Sequence, residues 1–293
     1  MVDSGKLGLG TVQWGVAYGI SNQVGRTAPS EVRAILSAAQ EAGVKVLDTA
    51  SLYGEAESVL GANQLEAFKI VTKTPRYATP FIEAQHVEQM FESFDRSLEK
   101  LAVDRVDGLL AHHAQDILVD GGERLVTGMK RLKDQGRVSK IGVSIYDGEQ
   151  LDGLLRRFTP DLVQLPLNVF DQRLIHNGWL QRLHDKGVEI HVRSVFLQGL
   201  LLMPLEDIPT YFEPIRPALA RWHAAAREQG MSLVQAALAF VRDLPEVDHV
   251  LVGVESVSQF QACLQDLLTP ASFDAAGLAC DDPAFVNPVL WRK

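Results

Sequence analysis

Eight short apolar segments alternate along this chain with longer stretches of helical spacing, and this alternation limits the possible folds more than any other feature. The segments lack the period-2 pattern of a strand with one face in solvent, which indicates parallel strands covered on both faces. The strand candidates are Lys6–Gly10, Val44–Asp48, Lys69–Thr72, Val106–Ala111, Lys140–Val143, Leu162–Leu165, Glu189–Arg193 and His249–Val252.

The intervening stretches predict amphipathic helices. One is expected from about Ser30 to Ala42, and another over the stretch from Val87 to Leu101, where apolar residues recur at three, four and seven positions. A third contains Leu125 and ends near Gly136. Eight strand and helix units predict an α/β fold of the (β/α)8 TIM barrel type. An open sheet is less suitable because GLGTVQWG is not the GxGxxG turn that such sheets often carry after their first strand.

No linker rich in Pro, Gly or Ser divides the chain, so we expect one domain over residues 1–293. The segment from Phe196 to Pro217 lacks clear periodicity and predicts a loop over the mouth of the barrel. A tail from about residue 269 ends near Trp291, which we expect to be exposed. The tail either folds back over a substrate pocket or frays.

Composition narrows the class of partner. The net charge is -9 with a pI of about 5.4 and no long basic run, which makes nucleic acid or an anionic membrane an improbable partner. The two cysteines, Cys263 and Cys280, have no metal-ligand spacing. Without an apolar leader or a membrane-length apolar segment, we expect a cytoplasmic protein. The oligomeric state stays open.

Four polar residues lie at or just after the ends of successive strand candidates. Asp48, Lys73 and His112 close or follow three strands, and Tyr53 comes five positions after Asp48. Barrel enzymes carry their chemistry at this end of the strands. We expect a proton-delivery site in which Tyr53 is the acid and Lys73, paired with Asp48, lowers the pKa of its phenol.

Six segments in consistent order resemble the aldo-keto reductase family over roughly residues 6 to 267. They are VLDTASLYGEAESVLG, VTK, VDGLLAHH, GMKRLKDQGRVSKIGVS, VQLPLN and VLVGVESVSQF. The resemblance implies reversible reduction of a small-molecule aldehyde or ketone, with NADP or NAD bound extended. It assigns the catalytic roles to Asp48, Tyr53, Lys73 and His112. It selects His112 over His113 because the family histidine follows the aspartate of Val-Asp, here Asp107, by five positions.

The same resemblance implies which residues hold the cofactor. These residues are Gly10, Thr11, Asp48, Ser144, Gln164, Arg193, Ser194, Phe196, Gln198, Gly199, Gly253, Glu255, Ser256 and Gln259. Four positions depart from the family pattern: Ile145 replaces an asparagine, Arg193 a stacking aromatic residue, and Ala262 and Cys263 a glutamate-asparagine pair. The basic residue expected for a 2′-phosphate is missing near Glu255, so the preference between NADPH and NADH is open.

Ordinary roles compete with these assignments. Asp48 alone could cap a helix, and His112 alone could be a core histidine. We expect Glu57 to be a helix-start acid, Cys263 to be a buried small residue, and Trp14 and Tyr18 either to line the pocket or to pack beneath a loop. We expect no metal site, on the His112–His113 pair or elsewhere. The alternative to an enzyme is a nucleotide-binding regulatory or scaffold subunit with little turnover.

Overall fold

The computed structural model describes residues 4–291, and in this range eight parallel strands close into a barrel in chain order. This confirms the predicted (β/α)8 fold. The strands are β1 Leu7–Gly10, β2 Val46–Asp48, β3 Lys69–Lys73, β4 Val106–Ala111, β5 Val138–Ser144, β6 Leu162–Pro166, β7 Glu189–Arg193 and β8 His249–Gly253. The barrel closes where Leu7 of β1 pairs with Val250 of β8.

Helices follow the strands around the outside of the barrel. They are α1 Val12–Gly15, α2 Pro29–Glu41, α3 Ala56–Gly61, α4 Ala84–Leu101, α5 Gln115–Leu118, α6 Glu123–Asp134, α7 Glu149–Arg157, α8 Arg173–His176, α9 Trp179–His184, α10 Arg216–Glu228, α11 Leu233–Arg242, α12 Val257–Leu268 and α13 Pro283–Val286. Pro29 begins α2 at a position where its missing N–H is not needed. Gly136, with φ +71°, follows the end of α6 as expected.

The barrel interior carries a small apolar layer separate from the main core. One side chain comes from each of five strands: Val46, Val71, Leu110, Leu162 and Leu251. Because alternate residues of a strand face the same side, the residues two positions later point into the barrel mouth. On β2, β3, β4, β6 and β8 those residues are Asp48, Lys73, His112, Gln164 and Gly253. The apolar layer therefore lies directly beneath the polar residues at the barrel mouth.

The segment after β7 is only partly the loop that was predicted. Residues 196–202 stay at the mouth, where Phe196, Gln198, Gly199 and Leu202 line a cavity. Beyond them the chain forms 3-10 turns at Leu205–Asp207 and Thr210–Ile215 and enters α10 at Arg216. Phe212 is buried in this stretch, so the second half of the segment is packed structure.

The tail after α12 follows neither alternative that the sequence left open. Tyr211 donates from its hydroxyl to the Ala284 carbonyl at 2.8 Å, and the Trp291 indole lies edge-on to Phe212 with ring centroids 4.8 Å apart. The expectation that Trp291 is exposed is wrong, because its indole N–H also finds an acceptor in the Phe285 carbonyl at 3.0 Å. Residues 269–291 do not line the mouth cavity. They pack beside it.

Candidate active site

A cavity of about 470 Å³ opens at the carboxyl ends of the strands. Of the predicted catalytic residues, Asp48, Tyr53 and His112 line it, while Lys73 is buried behind Asp48. The predicted cofactor residues on its wall are Gly10, Thr11, Asp48, Ser144, Gln164, Arg193, Ser194, Phe196, Gln198, Gly199, Gly253, Glu255 and Gln259. Ser256 is the predicted cofactor residue that is not on the wall. The barrel thus brings nearly all predicted positions to one space.

Lys73 and Asp48 form a buried ion pair at the base of this cavity. The Lys73 ammonium donates to Oδ1 of Asp48 at 2.7 Å, to Oδ2 at 2.8 Å and to the Thr49 carbonyl at 2.8 Å. Burial lowers the pKa of Lys73, and the charge of Asp48 opposes that shift. With three acceptors within 2.8 Å, the three ammonium hydrogens are fully used.

Gln164 joins this pair from the other side of the barrel. Its Nε2 donates to Oδ1 of Asp48 at 2.6 Å, and Ser144 Oγ lies 3.5 Å from its Oε1. Asp48, Gln164 and Ser144 are all buried. The result is a network that runs from β5 through β6 to β2 and β3 and holds each polar group in a single orientation.

The expectation that the pKa of Tyr53 is lowered overall by Lys73 is not met, because the net shift is upward. The pKa of Tyr53 is raised, first by burial and then by the Asp48 carboxylate, whereas Arg193 lowers it. Lys73 Nζ lies 4.9 Å from the centroid of the Tyr53 ring, and its hydrogens go to Asp48 and Thr49. The ammonium therefore faces the π system of the phenol instead of hydrogen-bonding its oxygen. Tyr53 stays protonated at neutral pH.

His112 faces the same phenol. The two rings meet edge to face with centroids 5.8 Å apart. Burial lowers the pKa of His112 to about 3, with further lowering from Lys73 and Arg193, so the imidazole is neutral. Its Nδ1 is buried without a hydrogen-bond partner among residues 4–291. His113 is not on the cavity wall, and its Nδ1 lies 3.5 Å from Asp116.

Residues 194–202 cross the mouth as a strap. Gln198 donates from Nε2 to the Tyr18 hydroxyl at 3.0 Å and accepts from Ile20 N at 3.1 Å. Gly199 has φ +94°, and a Cβ there would lie 1.9 Å from Ser21 Oγ, so no other residue fits without movement. The strap and residues 18–21 are joined directly. Tyr18 therefore lines the cavity, whereas Trp14 is fully buried and donates to the Val254 carbonyl.

Arg193 is held at the cavity wall by two neighbours. Its NH2 donates to the Ile145 carbonyl at 2.9 Å, and its guanidinium carbon lies 4.5 Å from the centroid of the Tyr146 ring. The planar side chain is thereby fixed in orientation. Sequence reasoning missed Tyr146, along with Gln13, Leu202 and Val234, which also line the cavity. Each lies on a helix or loop, outside the strand-end pattern.

The far end of the cavity lies at the start of α12. Ser256 accepts from Gln259 N at 3.2 Å and caps the helix, and Gln259 Oε1 accepts from Glu255 N at 2.7 Å. Burial raises the pKa of Glu255. Cys263 is buried, as expected, and burial raises its pKa to about 12, which makes it a poor nucleophile.

These residues fit an extended nicotinamide dinucleotide. The cavity runs from His112 to Glu255 and Gln259 at the N-terminus of α12, where the helix dipole favours an anionic group. Gln13 Oε1 and His112 Nδ1 are buried polar atoms with no partner in the described part of the chain. Such atoms at a cavity wall are suited to a polar ligand.

Glu57 has a structural role beyond the one predicted. It lies in the first turn of α3, as a helix-start acid should. It is also buried, and its carboxylate accepts from Thr72 Oγ1 at 2.7 Å and from Ser97 Oγ at 3.1 Å. Glu57 therefore ties α3 to β3 and α4 and takes no part in the site.

Known proteins resemble this chain in sequence and in fold. The chain is 29% identical over 259 residues to L-galactose dehydrogenase of Arabidopsis thaliana, covering 81% of this chain and 78% of the relative. It is 25% identical to the aldo-keto reductase YhdN of Bacillus subtilis, covering 89% and 84%. The solved structure of the aldo-keto reductase AKR11C1 from Bacillus halodurans superposes with a TM-score of 0.73 at 21% identity, covering 92% and 88%.

The family model of the aldo/keto reductases matches residues 6–275, which is most of the chain. This match includes every strand of the barrel and every residue of the Asp48, Tyr53, Lys73 and His112 group. On this evidence the chain belongs to the aldo/keto reductase family.

Proposed function

We propose that Tyr53 is the general acid with which this NAD(P)-dependent oxidoreductase reduces an aldehyde or ketone to the alcohol. One observation carries the assignment: a protonated phenol and a neutral imidazole stand together at the cavity, above a buried ammonium and carboxylate. Carbonyl reduction builds negative charge on the substrate oxygen, and this group supplies both a proton and hydrogen-bond donors at that point.

The residues divide the chemistry as follows. A nicotinamide dinucleotide, when bound, would supply the hydride for the carbonyl carbon. Tyr53 Oη donates a hydrogen bond to the carbonyl oxygen, gives up its proton as the alkoxide forms, and is left as a phenolate. The Lys73 ammonium, 4.9 Å from the ring, stabilises that phenolate. Because Lys73 is fully bonded to Asp48 and Thr49, it acts through its charge.

His112 orients the substrate. A neutral imidazole has one N–H donor, and the ring stands edge-on to Tyr53. A second donor beside the phenol directs the carbonyl oxygen toward Oη. Because burial holds the pKa of His112 at about 3, this donor is uncharged at neutral pH.

The proton-transfer role is tested by Tyr53→Phe, with Tyr77→Phe as the matched control. The Tyr77 hydroxyl is buried without a partner among the described residues and lies away from the cavity. We expect Tyr53→Phe to bind NADH or NADPH, measured by fluorescence titration, while reduction of a generic aldehyde falls by at least about 100-fold. Tyr77→Phe should keep normal turnover. Equal turnover by Tyr53→Phe and Tyr77→Phe would contradict the assignment of Tyr53 as the general acid.

We further propose that the site prefers NADH to NADPH. Glu255 lies on the cavity wall at the start of α12, and the only lysine or arginine among the described residues that line the cavity is Arg193, on β7. A carboxylate repels a 2′-phosphate and accepts a hydrogen bond from a ribose hydroxyl. Glu255→Gln should tighten the binding of NADPH and so bring its dissociation constant closer to that of NADH. The surface variant Glu228→Gln should leave both dissociation constants unchanged. Tighter binding of NADPH by the unaltered protein would contradict the preference.

The proposal also covers the substrate class, the cellular compartment and the domain organisation of the enzyme. The 29% identity to a plant L-galactose dehydrogenase makes sugars and polyol-derived aldehydes the first compounds to assay. No helix within residues 4–291 is long and apolar enough to cross a membrane, and we propose that the protein works in the cytoplasm. We also propose that residues 1–293 act as one domain, since residues 280–291 pack on the segment that begins at the cavity. No observation favours the binding-subunit alternative.

A further inference from the structure

A second polar group lies inside the barrel at the end opposite the catalytic cavity. Glu189 and His191 are on β7 two positions apart, in line with Arg193 at the mouth. His249 begins β8, two positions before Leu251 of the apolar interior layer. β7 and β8 pair with His191 opposite His249. The three side chains therefore share the lower half of the barrel interior, beneath the apolar layer that supports the active site.

The geometry of this group suits a metal ion. Glu189, His191 and His249 each offer one ligand atom, and these atoms all lie within 4.8 Å of one another. His191 Nε2 is 2.8 Å from Glu189 Oε1, close to the roughly 3.3 Å between two ligands on one tetrahedral Zn²⁺. The His191 and His249 rings meet edge to face at 4.8 Å. Small side-chain adjustments bring all three onto one ion.

The group also has hydrogen-bonding capacity that the protein does not use. His191 is 1% exposed. Nδ1 of His191 and Nδ1 of His249 are buried without a partner within the described residues. A buried imidazole nitrogen without a partner costs free energy, and an ion held by His191 Nε2 beside Glu189 would use the nitrogen of His249 but not Nδ1 of His191.

Lys140 competes with a metal ion for the Glu189 carboxylate, but its position leaves room for an ion to bind there as well. Its ammonium lies 2.6 Å from Glu189 Oε2 and 3.4 Å from Asp107 Oδ2. Oε2 is the oxygen that does not contact His191, so Glu189 can bridge a metal ion and the ammonium. A carboxylate that links a metal to an outer hydrogen-bond donor is the usual arrangement around protein metal sites. Asp107 keeps Lys140 partly neutralised.

We propose that Glu189, His191 and His249 bind one divalent transition-metal ion of the Zn²⁺ or Co²⁺ class at the amino-terminal end of the barrel. Two imidazoles and one carboxylate are ligands that these ions prefer. Glu189 and His249 are partly exposed, which gives the ion a route from solvent. The ion links β7 to β8 and is separate from the carbonyl-reducing site.

The test uses untagged, EDTA-treated protein, so that no histidine tag binds metal. We expect Co²⁺ titration to give a visible absorption band that saturates at one ion per chain, with Zn²⁺ displacing it. Glu189→Gln and His249→Gln should weaken Co²⁺ binding by at least about tenfold. His223→Gln, on α10, is the control and should bind as the unaltered protein does. Circular dichroism in EDTA checks that each variant is folded.

A variant that gains affinity gives a result that misfolding cannot explain. Lys140→Met removes a positive charge next to the ion and should tighten Co²⁺ binding by about tenfold or more. The proposal is overturned if the unaltered protein shows no saturable band up to about 1 mM Co²⁺. It is also overturned if Glu189→Gln and His249→Gln keep full affinity, or if Lys140→Met fails to bind more tightly.

Discussion

Gln164 donates a hydrogen bond from Nε2 to Oδ1 of Asp48 at 2.6 Å, joining residues 116 positions apart. One of the two amide hydrogens is thereby committed, which leaves the second N–H and Oε1, near Ser144, to face a ligand. Asp48 in turn accepts from Lys73 on both oxygens. The residue predicted to hold the nicotinamide thus also supports the Asp48–Lys73 ion pair, and we expect cofactor binding and proton chemistry to depend on the same network.

Replacing Gln164 by Glu should damage this network through charge. A second carboxylate 2.6 Å from Asp48 cannot be ionised beside it without strong repulsion, and one of the two must take up a proton. We expect Gln164→Glu to lose about 1–3 kcal/mol of unfolding free energy at pH 8, with partial recovery as pH falls toward 6. Urea unfolding at the two pH values measures both effects. Gln40→Glu, on the exposed side of α2, is the control, and equal losses in the two variants would contradict the shared network.

The protonation states of Tyr53 and His112 predict the pH dependence of catalysis. The pKa of Tyr53 is raised above its usual value and that of His112 is lowered to about 3. Reduction requires a protonated phenol and a neutral imidazole, and both persist between about pH 5 and pH 9. We expect kcat/KM for reduction to stay within about twofold over this range, while alcohol oxidation, which needs the phenolate, rises with pH. A fall in reduction centred near pH 8 would show that Tyr53 has a lowered pKa.

His112 should also make the fold sensitive to acid. Its folded pKa, about 3, lies below the usual value of 6.5, so below pH 6.5 the unfolded chain takes up a proton that the folded chain refuses. Stability from this residue is complete above pH 6.5 and is lost as pH falls toward 3. His112→Gln should reduce the slope of unfolding free energy against pH by up to about 1.4 kcal/mol per unit between pH 6 and 4. Urea unfolding measures the slope, and the exposed His184→Gln should leave it unchanged.

The positions of the site residues were predictable from the sequence because every strand of a parallel barrel has its carboxyl end at the same mouth. Asp48, Lys73 and His112 each end or follow an apolar segment, and parallel strands bring such ends to one mouth. Their contacts were not predictable in the same way. Several acceptors compete for the Lys73 ammonium, and the choice of Asp48 and Thr49 over the Tyr53 hydroxyl depends on side-chain geometry, which strand order does not determine.

Contacts between segments that are distant in the chain could not be predicted from the sequence either. His249 and His191 are far apart in the chain, and no spacing motif marks them as neighbours; only the closure of β7 onto β8 does so. Trp291 looked exposed because nothing in its local sequence reveals the buried Phe212 that it contacts. The missed cavity residues Tyr146 and Gln13 lie beyond strand ends, where loop conformation decides their direction.

Arg242 at the end of α11 should be essential for holding the start of the tail. Its guanidinium donates to three carbonyls at and just after the end of α12: those of Leu267 at 2.9 Å and Thr269 at 2.6 Å from NH1, and that of Ala271 at 2.6 Å from NH2. The residue is 6% exposed. A lysine ammonium is compact and cannot span the same three acceptors.

We therefore expect Arg242→Lys to lower the unfolding free energy by about 2–4 kcal/mol, because buried carbonyls lose their donors while one charge stays buried. Urea unfolding measures the loss, and Arg227→Lys in the last turn of α10 is the matched surface control. Limited proteolysis should cut Arg242→Lys between residues 269 and 280 faster than the control, since the guanidinium is what ties that stretch to α11. If the two variants unfold at the same urea concentration, the three carbonyl contacts do not stabilise the fold.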